Sequence, residues 1–115
     1  RSSDLHEADI LIHTKYNDPC PRLVAEAMAC GLPVVYSASG GVPELVGSSA
    51  GVGVPAPRDW EREHPPGFKD LAEAIRKVCR HYTEYSLEAR KRAVEMFDVK
   101  QWLQKHKKIF TELVR

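Results

Sequence analysis

Apolar and polar positions change their rhythm midway along the chain. Up to about residue 57 the apolar residues come in short blocks broken by glycine, proline and serine, and beyond it they recur at helical spacing among charges. Ala8-Asp9-Ile10-Leu11-Ile12-His13 reads as a short buried strand with a helix ending just before it. Tyr16-Asn17-Asp18-Pro19-Cys20-Pro21 is dense in turn formers and predicts a loop. Pro21 suits a helix start, and Leu23, Ala27 and Cys30, with Val24 and Met28 adjacent, carry a helix over Arg22 to Cys30. Gly31 is placed to end it. Pro33-Val34-Val35-Tyr36 follows as a second buried strand, Ser37 to Gly41 as a tight loop and Val42 to Val46 as a brief helical turn. Gly51 to Val54 reads as a third, thin strand, and Pro55 to Gly67, with four prolines, as a long loop.

From Phe68 the pattern is helical. Phe68, Leu71, Ala72, Ile75, Val78, Cys79 and Tyr82 form one apolar stripe, and Ser86 to Phe97 a second, highly charged helix. Asp98 has the features of an N-cap, with Gln101 three residues on. Val99, Trp102, Leu103, Ile109, Phe110 and Leu113 predict a buried face on the last helix.

Strand, loop, helix and strand in succession argue for an α/β fold with a parallel sheet. Two or three short strands are too few to carry helices on both faces of a complete sheet. That expectation, with an Arg at position 1 and no signal-like start, points to a piece of a longer protein.

Composition narrows the classes. The chain has 115 residues, 43% of them hydrophobic, which suits one soluble domain or part of one. No apolar run approaches the roughly 18 residues of a membrane span. Net charge is +1, so nothing favours nucleic acid overall. Residues 1–57 hold three basic and six acidic side chains, leaving 14 basic and 10 acidic in residues 58–115. The first part is therefore sparsely charged, the second a helical surface. Cys20, Cys30 and Cys79 cannot all pair within the chain and lack zinc spacing. A reducing, cytoplasmic setting is the simplest expectation, with Cys30 and Cys79 as small core residues.

Chemistry concentrates between Asp18 and Glu44. Ligands of open α/β sheets settle at the carboxyl ends of strands, where Asp18 falls. The helix after Pro21 offers backbone N–H groups and a positive dipole end, suited to phosphate. Glu26, one turn in, is within reach of a sugar hydroxyl near that phosphate. Gly40-Gly41 supplies a loop that a ligand can approach closely. These residues alone point to a phosphorylated polar ligand.

Asp18-x7-Glu26, continued by Glu26-Ala27-Met28-Ala29-Cys30-Gly31-Leu32-Pro33-Val34-Val35, resembles the E-x7-E region of the family-4 glycosyltransferases. Gly40-Gly41-Val42-Pro43-Glu44 is similar to the G-G-x-x-E stretch that follows it, and Leu71 to Ile75 with Phe97 resemble the family's tail. The resemblance implies a GT-B enzyme, of which this chain is the C-terminal part of the donor-binding, Rossmann-like domain. Within it, 1–57 is the donor-site region, 58–66 a loop and 67–115 the C-terminal helices. It further implies a retaining transferase, here a hexosyltransferase type inactive as an isolated fragment, that takes a sugar from a nucleotide diphosphate in polysaccharide or glycoconjugate synthesis. Cofactor and metal are not expected, and the absence of D-x-D fits that. Asp18 would sit beside the donor sugar as the catalytic carboxylate and Glu26 would hold the ribose. The Arg22 and Leu23 backbone N–H groups would face the diphosphate, and Gly40 and Gly41 would line the donor site. The acceptor-binding domain would lie N-terminal to this chain. Two positions depart from the family pattern: Asp18 replaces the usual Glu and Pro21 a common Gly.

Blander readings stand beside these. Asp18 also suits an Asx turn, Glu26 a solvated helix face, Gly40-Gly41 plain turn chemistry and His13 a packed polar residue. Arg90-Lys91-Arg92 and Lys105 to Lys108 suit a solvated face better than peripheral contact with an inner membrane surface. Trp60, in the proline-rich loop, suits a lid. Rival assignments are a noncatalytic α/β binding module or remnant, and a GT-B-type epimerase or phosphorylase fragment.

Overall fold

The computed structural model describes residues 5, 7–19, 21–97 and 99–114, and the side chains of all of these except 97 and 99–102. The expected Asp98 cap, the Cys20 side chain and the side-chain packing of Phe97, Val99 and Trp102 therefore lie outside the described residues. The elements are β1 (Leu11–His13), α1 (Arg22–Ala29), β2 (Val34–Ala38), α2 (Val42–Val46), β3 (Gly51–Pro55), α3 (Phe68–Arg80), α4 (Tyr82–Phe97) and α5 (Val99–Leu113). Among the described residues the sheet has three parallel strands in the order β1-β2-β3. The fold is α/β, as its pattern predicts.

The side-chain period of two divides β2 between two layers. Val34 and Tyr36 join Val24 and Met28 of α1, Val42 and Val46 of α2, and Ala89 and Ala93 of α4 in one core cluster. Val35 faces the other way, into a cluster with Val54 of β3 and Ala74 and Val78 of α3. Small alanines on α4 let that helix approach α1 closely.

The end of α1 has a specific cause. Gly31 adopts φ 77°, which only glycine reaches without strain. Its N–H bonds Met28 O at 2.9 Å, and Leu32 N–H bonds Ala27 O at 3.0 Å, the two bonds of a Schellman motif. Leu32 packs against Ala27 to complete it.

Four expectations are corrected. β2 runs two residues further, through Ala38, so the expected loop begins later. β1 is shorter than its apolar run, and Ile12 is half exposed because, among the described residues, β1 has a strand on one side alone and α3 covers β2 and β3. On α3, Phe68 and Cys79 are exposed; the buried positions are Ala74 and Val78, while Cys30 is half-buried. Leu103, Ile109, Phe110 and Leu113 of α5 are exposed, because among the described residues no layer lies over the apolar side of that helix where it runs off α4.

Candidate functional site

Three loops meet at the carboxyl ends of the parallel strands: residues 14–21 after β1, 39–41 after β2 and 56–67 after β3. The first is shaped by Asn17, whose φ of 53° is the left-handed conformation that asparagine tolerates better than most residues. Its N–H bonds Ser39 Oγ at 2.9 Å, and Ser39 Oγ lies 2.9 Å from Ser37 Oγ. That turn brings Asp18 back beneath the end of its own strand. Asp18 is buried, 8% exposed, with Oδ2 3.0 Å from Nε2 of His13. Lys15 Nζ lies 4.0 Å from Oδ1 but is largely exposed, so it contributes little.

Gly40 and Gly41 press directly on this loop. Gly41 N–H bonds Asp18 O at 2.8 Å. A Cβ on Gly40 would lie 2.4 Å from Asp18 O, and one on Gly41 2.4 Å from Pro19 O. The glycines thus serve close approach of one loop to the other, which is a role in the protein's own packing whatever ligand they also meet.

Helix α1 starts from Pro21 (φ −77°, ψ 88°) with no side-chain cap. The N–H groups of its first turn have no carbonyl four residues back, and the helix dipole adds positive potential there. Arg22 Nε bonds Glu26 Oε1 at 3.2 Å across one turn. Both side chains face outward, Arg22 91% exposed and Glu26 44%, and Leu23 is 44% exposed. The structure therefore joins Arg22 to Glu26 on the outer face of α1, and Gly40 and Gly41 to Asp18 beneath it.

Sequence reasoning missed the residues that hold the frame. From α4, Ser86 Oγ donates to Gly31 O at 2.6 Å and Arg90 Nη1 donates to Ala29 O, at the end of α1. Arg92 Nε donates to Leu45 O at 2.6 Å and Nη2 to Glu44 O at 2.7 Å, at the end of α2. Cations belong at helix C-termini, where carbonyls lack partners. Arg90 and Arg92 are thus structural ties and not a free basic surface. Tyr36, buried beside this tie, has its phenol pushed up by burial and drawn partly back by Arg92.

The third loop is strapped to the first. Tyr16 O–H donates to Pro57 O and accepts from Asp59 N–H at 3.0 Å, and Asn17 Nδ2 donates to Asp59 O at 3.0 Å. Asp59 Oδ2 lies 2.7 Å from His64 Nε2, and Oδ1 accepts from Glu61 N–H at 2.8 Å. The bond from His64, followed by that N–H, holds the Asp59 carboxyl below its usual range. Between these loops lies an open cavity of about 770 Å³. Among the described residues no group of three His, Cys, Asp or Glu side chains is placed to hold a metal ion.

Comparison with known proteins adds to this geometry. The family described as glycosyl transferases group 1 matches residues 3–95. Sucrose-phosphate synthase from Thermosynechococcus elongatus is similar in fold, with a TM-score of 0.73 at 24% identity over 96% of this chain. The Anabaena protein HepE in complex with UDP gives 0.72 at 26% identity over 94% of it. HepE in complex with UDP-glucose gives 0.64 at 25% identity over 94%. The chain spans 27% of the length of the first of these and 29% of the other two. No curated protein matches the sequence.

Proposed function

The chain belongs to the glycosyl transferases group 1 family, and on that premise we propose that it forms the donor-binding part of a retaining glycosyltransferase. The observation that carries this reading is the succession at the end of β1. Buried Asp18 is followed by an α1 N-terminus without a side-chain cap, then by Glu26 one turn in on an exposed face. HepE, similar over 94% of the chain, has been seen with UDP and with UDP-glucose.

On this reading the Arg22 and Leu23 N–H groups face the donor diphosphate and Glu26 leaves Arg22 to hold the ribose. Asp18, oriented by His13, lies beside the donor sugar, and Gly40 and Gly41 keep its loop in place. The acceptor oxygen bonds to the anomeric carbon on the face from which the diphosphate departs. The acceptor's proton passes to the departing phosphate. Positive potential at α1 stabilises the charge that develops there. No bound metal takes part.

The acceptor half then lies in a separate domain outside these 115 residues, which accords with the 27–29% share of the solved structures. Residues 1–57 supply the donor site, 58–66 a loop and 67–115 the supporting helices. On this reading the protein works in polysaccharide or glycoconjugate assembly on the cytoplasmic side. Among the described residues no helix is long and apolar enough to cross a membrane.

Calorimetric titration of UDP-glucose into the full-length protein tests the reading. Glu26→Gln should weaken binding about tenfold to a hundredfold, the effect of losing a charged hydrogen bond. Unchanged affinity in a folded Glu26→Gln variant, or no binding by the wild type, defeats it.

A further inference from the structure

We propose that Asn17 is a positioning residue of the donor site: its left-handed backbone, clamped from the two neighbouring loops, aims the Asp18 carboxylate. The inference deepens the donor-site reading above and rests on it for the role of Asp18.

Three observations carry it. First, the backbone reversal that turns Asp18 inward falls on Asn17. Pro19 disfavours helical backbone at Asp18, the residue before it. Asn17 makes the reversal with φ 53°, and among the described residues it is the one non-glycine residue with positive φ. A left-handed backbone costs an ordinary residue about fivefold to thirtyfold in population, and asparagine is one of the few that visit it routinely.

Second, Asn17 is held in that conformation from both sides. Its N–H donates to Ser39 Oγ at 2.9 Å, in the loop after β2, and its Nδ2 donates to Asp59 O at 3.0 Å, in the loop after β3. Neither acceptor is loose. Ser39 is buried, with its hydroxyl 2.9 Å from that of fully buried Ser37, and Asp59 N–H is bonded to the Tyr16 hydroxyl at 3.0 Å. The loops that follow all three strands are therefore joined through this one residue.

Third, the residue after Asn17 is fixed at both its main chain and its side chain. Asp18 O accepts from Gly41 N–H at 2.8 Å, and its Oδ2 lies 3.0 Å from His13 Nε2. These partners sit on separate elements, so a change of φ at Asn17 cannot keep both bonds. The carboxylate then leaves His13, and the donor sugar loses an oriented neighbour. Asn17 thus acts through Asp18.

The test uses the full-length protein, isotope-labelled at histidine, and UDP-glucose with water as the acceptor, which yields UDP and glucose. In the wild type the His13 Nε2 proton, bonded to a carboxylate and nearly buried, should give a downfield NMR resonance protected from exchange. His13→Gln assigns it. Asn17→Ala should lose that resonance and lower kcat for hydrolysis about tenfold or more, with KM for UDP-glucose within about threefold. Asn17→Gly gives up the Nδ2 bond but adopts a left-handed backbone without strain. It should restore the resonance and bring kcat back to within about threefold of the wild type. Should Asn17→Ala not fold, Ser39→Ala, which removes the acceptor of the Asn17 N–H, takes its place with the same expected losses. No protected resonance in the wild type, a wild-type resonance and kcat in Asn17→Ala, a change in KM alone, or equal losses in Asn17→Gly and Asn17→Ala overturns the proposal. A wild type that neither binds nor hydrolyses UDP-glucose overturns the donor reading instead, and the resonance in the same variants still decides whether Asn17 aims Asp18.

Discussion

The imidazole Nε2 of His13 lies 3.0 Å from the carboxylate Oδ2 of Asp18, across the turn that joins β1 to α1. Both side chains are nearly buried, 13% and 11% exposed. A carboxylate has only acceptors, so the bond requires the proton on Nε2. His13 thereby helps to orient Asp18. Replacing His13 by Leu removes this hydrogen bond from a nearly buried carboxylate, and the chain should lose about 1–3 kcal/mol of stability. Urea denaturation measures this; a loss below about 0.5 kcal/mol, the size of a neutral surface change, would mean that the pair orders nothing.

Gly40 and Gly41 separate packing from ligand contact. Gly40 has φ 61°, and its added Cβ would meet Asp18 O at 2.4 Å. Gly40→Ala should therefore cost about 2 kcal/mol or more in thermal denaturation, combining left-handed strain with a backbone collision. Gly41→Ala, with Pro19 O at 2.4 Å but an ordinary φ of −91°, should also be destabilised, by the collision alone. Were the glycines present only to admit a ligand, both variants would be as stable as the parent and weaker only in binding UDP-glucose.

Arg92 ties α4 to the loop end of α2 through two carbonyls, at 2.6 and 2.7 Å. Arg92→Ala should lower stability by about 1.5–3 kcal/mol, the range for hydrogen bonds from a charged group. Arg92→Lys, which keeps the charge but not the fork, should recover only part of it. Full recovery in equilibrium unfolding would show that charge alone matters at this helix end.

What the sequence disclosed and what it hid divide along physical lines. Local signals were legible: Pro21 and Gly31 bracket α1, and short apolar blocks mark the strands of a parallel sheet. The succession of strand end, loop and helix start between β1 and α1 was legible too, since these are contiguous in the chain. Their partners were not. Arg92 reaches Leu45 across 47 positions and Tyr16 reaches Pro57 across 41, separations that periodicity does not encode. Nor does spacing reveal that Asp18 turns inward to His13, which depends on the left-handed backbone at Asn17. Periodicity also overstates burial: the stripes of α3 and α5 are genuine, yet Phe68 and Phe110 are exposed. An apolar face is buried only where another element lies over it.

The strap between Tyr16 and the 56–67 loop predicts both a mutational and a pH effect. Tyr16→Phe removes the hydroxyl that donates to Pro57 O and accepts from Asp59 N–H. Hydrogen exchange at the Asp59 amide should accelerate by about tenfold or more, as local opening replaces a tied turn. Asp59 adds the pH dependence, because its folded carboxyl titrates below the ordinary value of 3.8. The folded loop thus prefers the ionised form, and the unfolded state takes up the proton first as pH falls. The contribution is complete above 3.8 and is lost as pH drops through the lower, folded value. Exchange protection in the loop should accordingly persist from neutral pH down to that ordinary value and fail only beneath it. Protection lost well above 3.8 would show that His64 and the Glu61 amide do not hold the carboxylate in place.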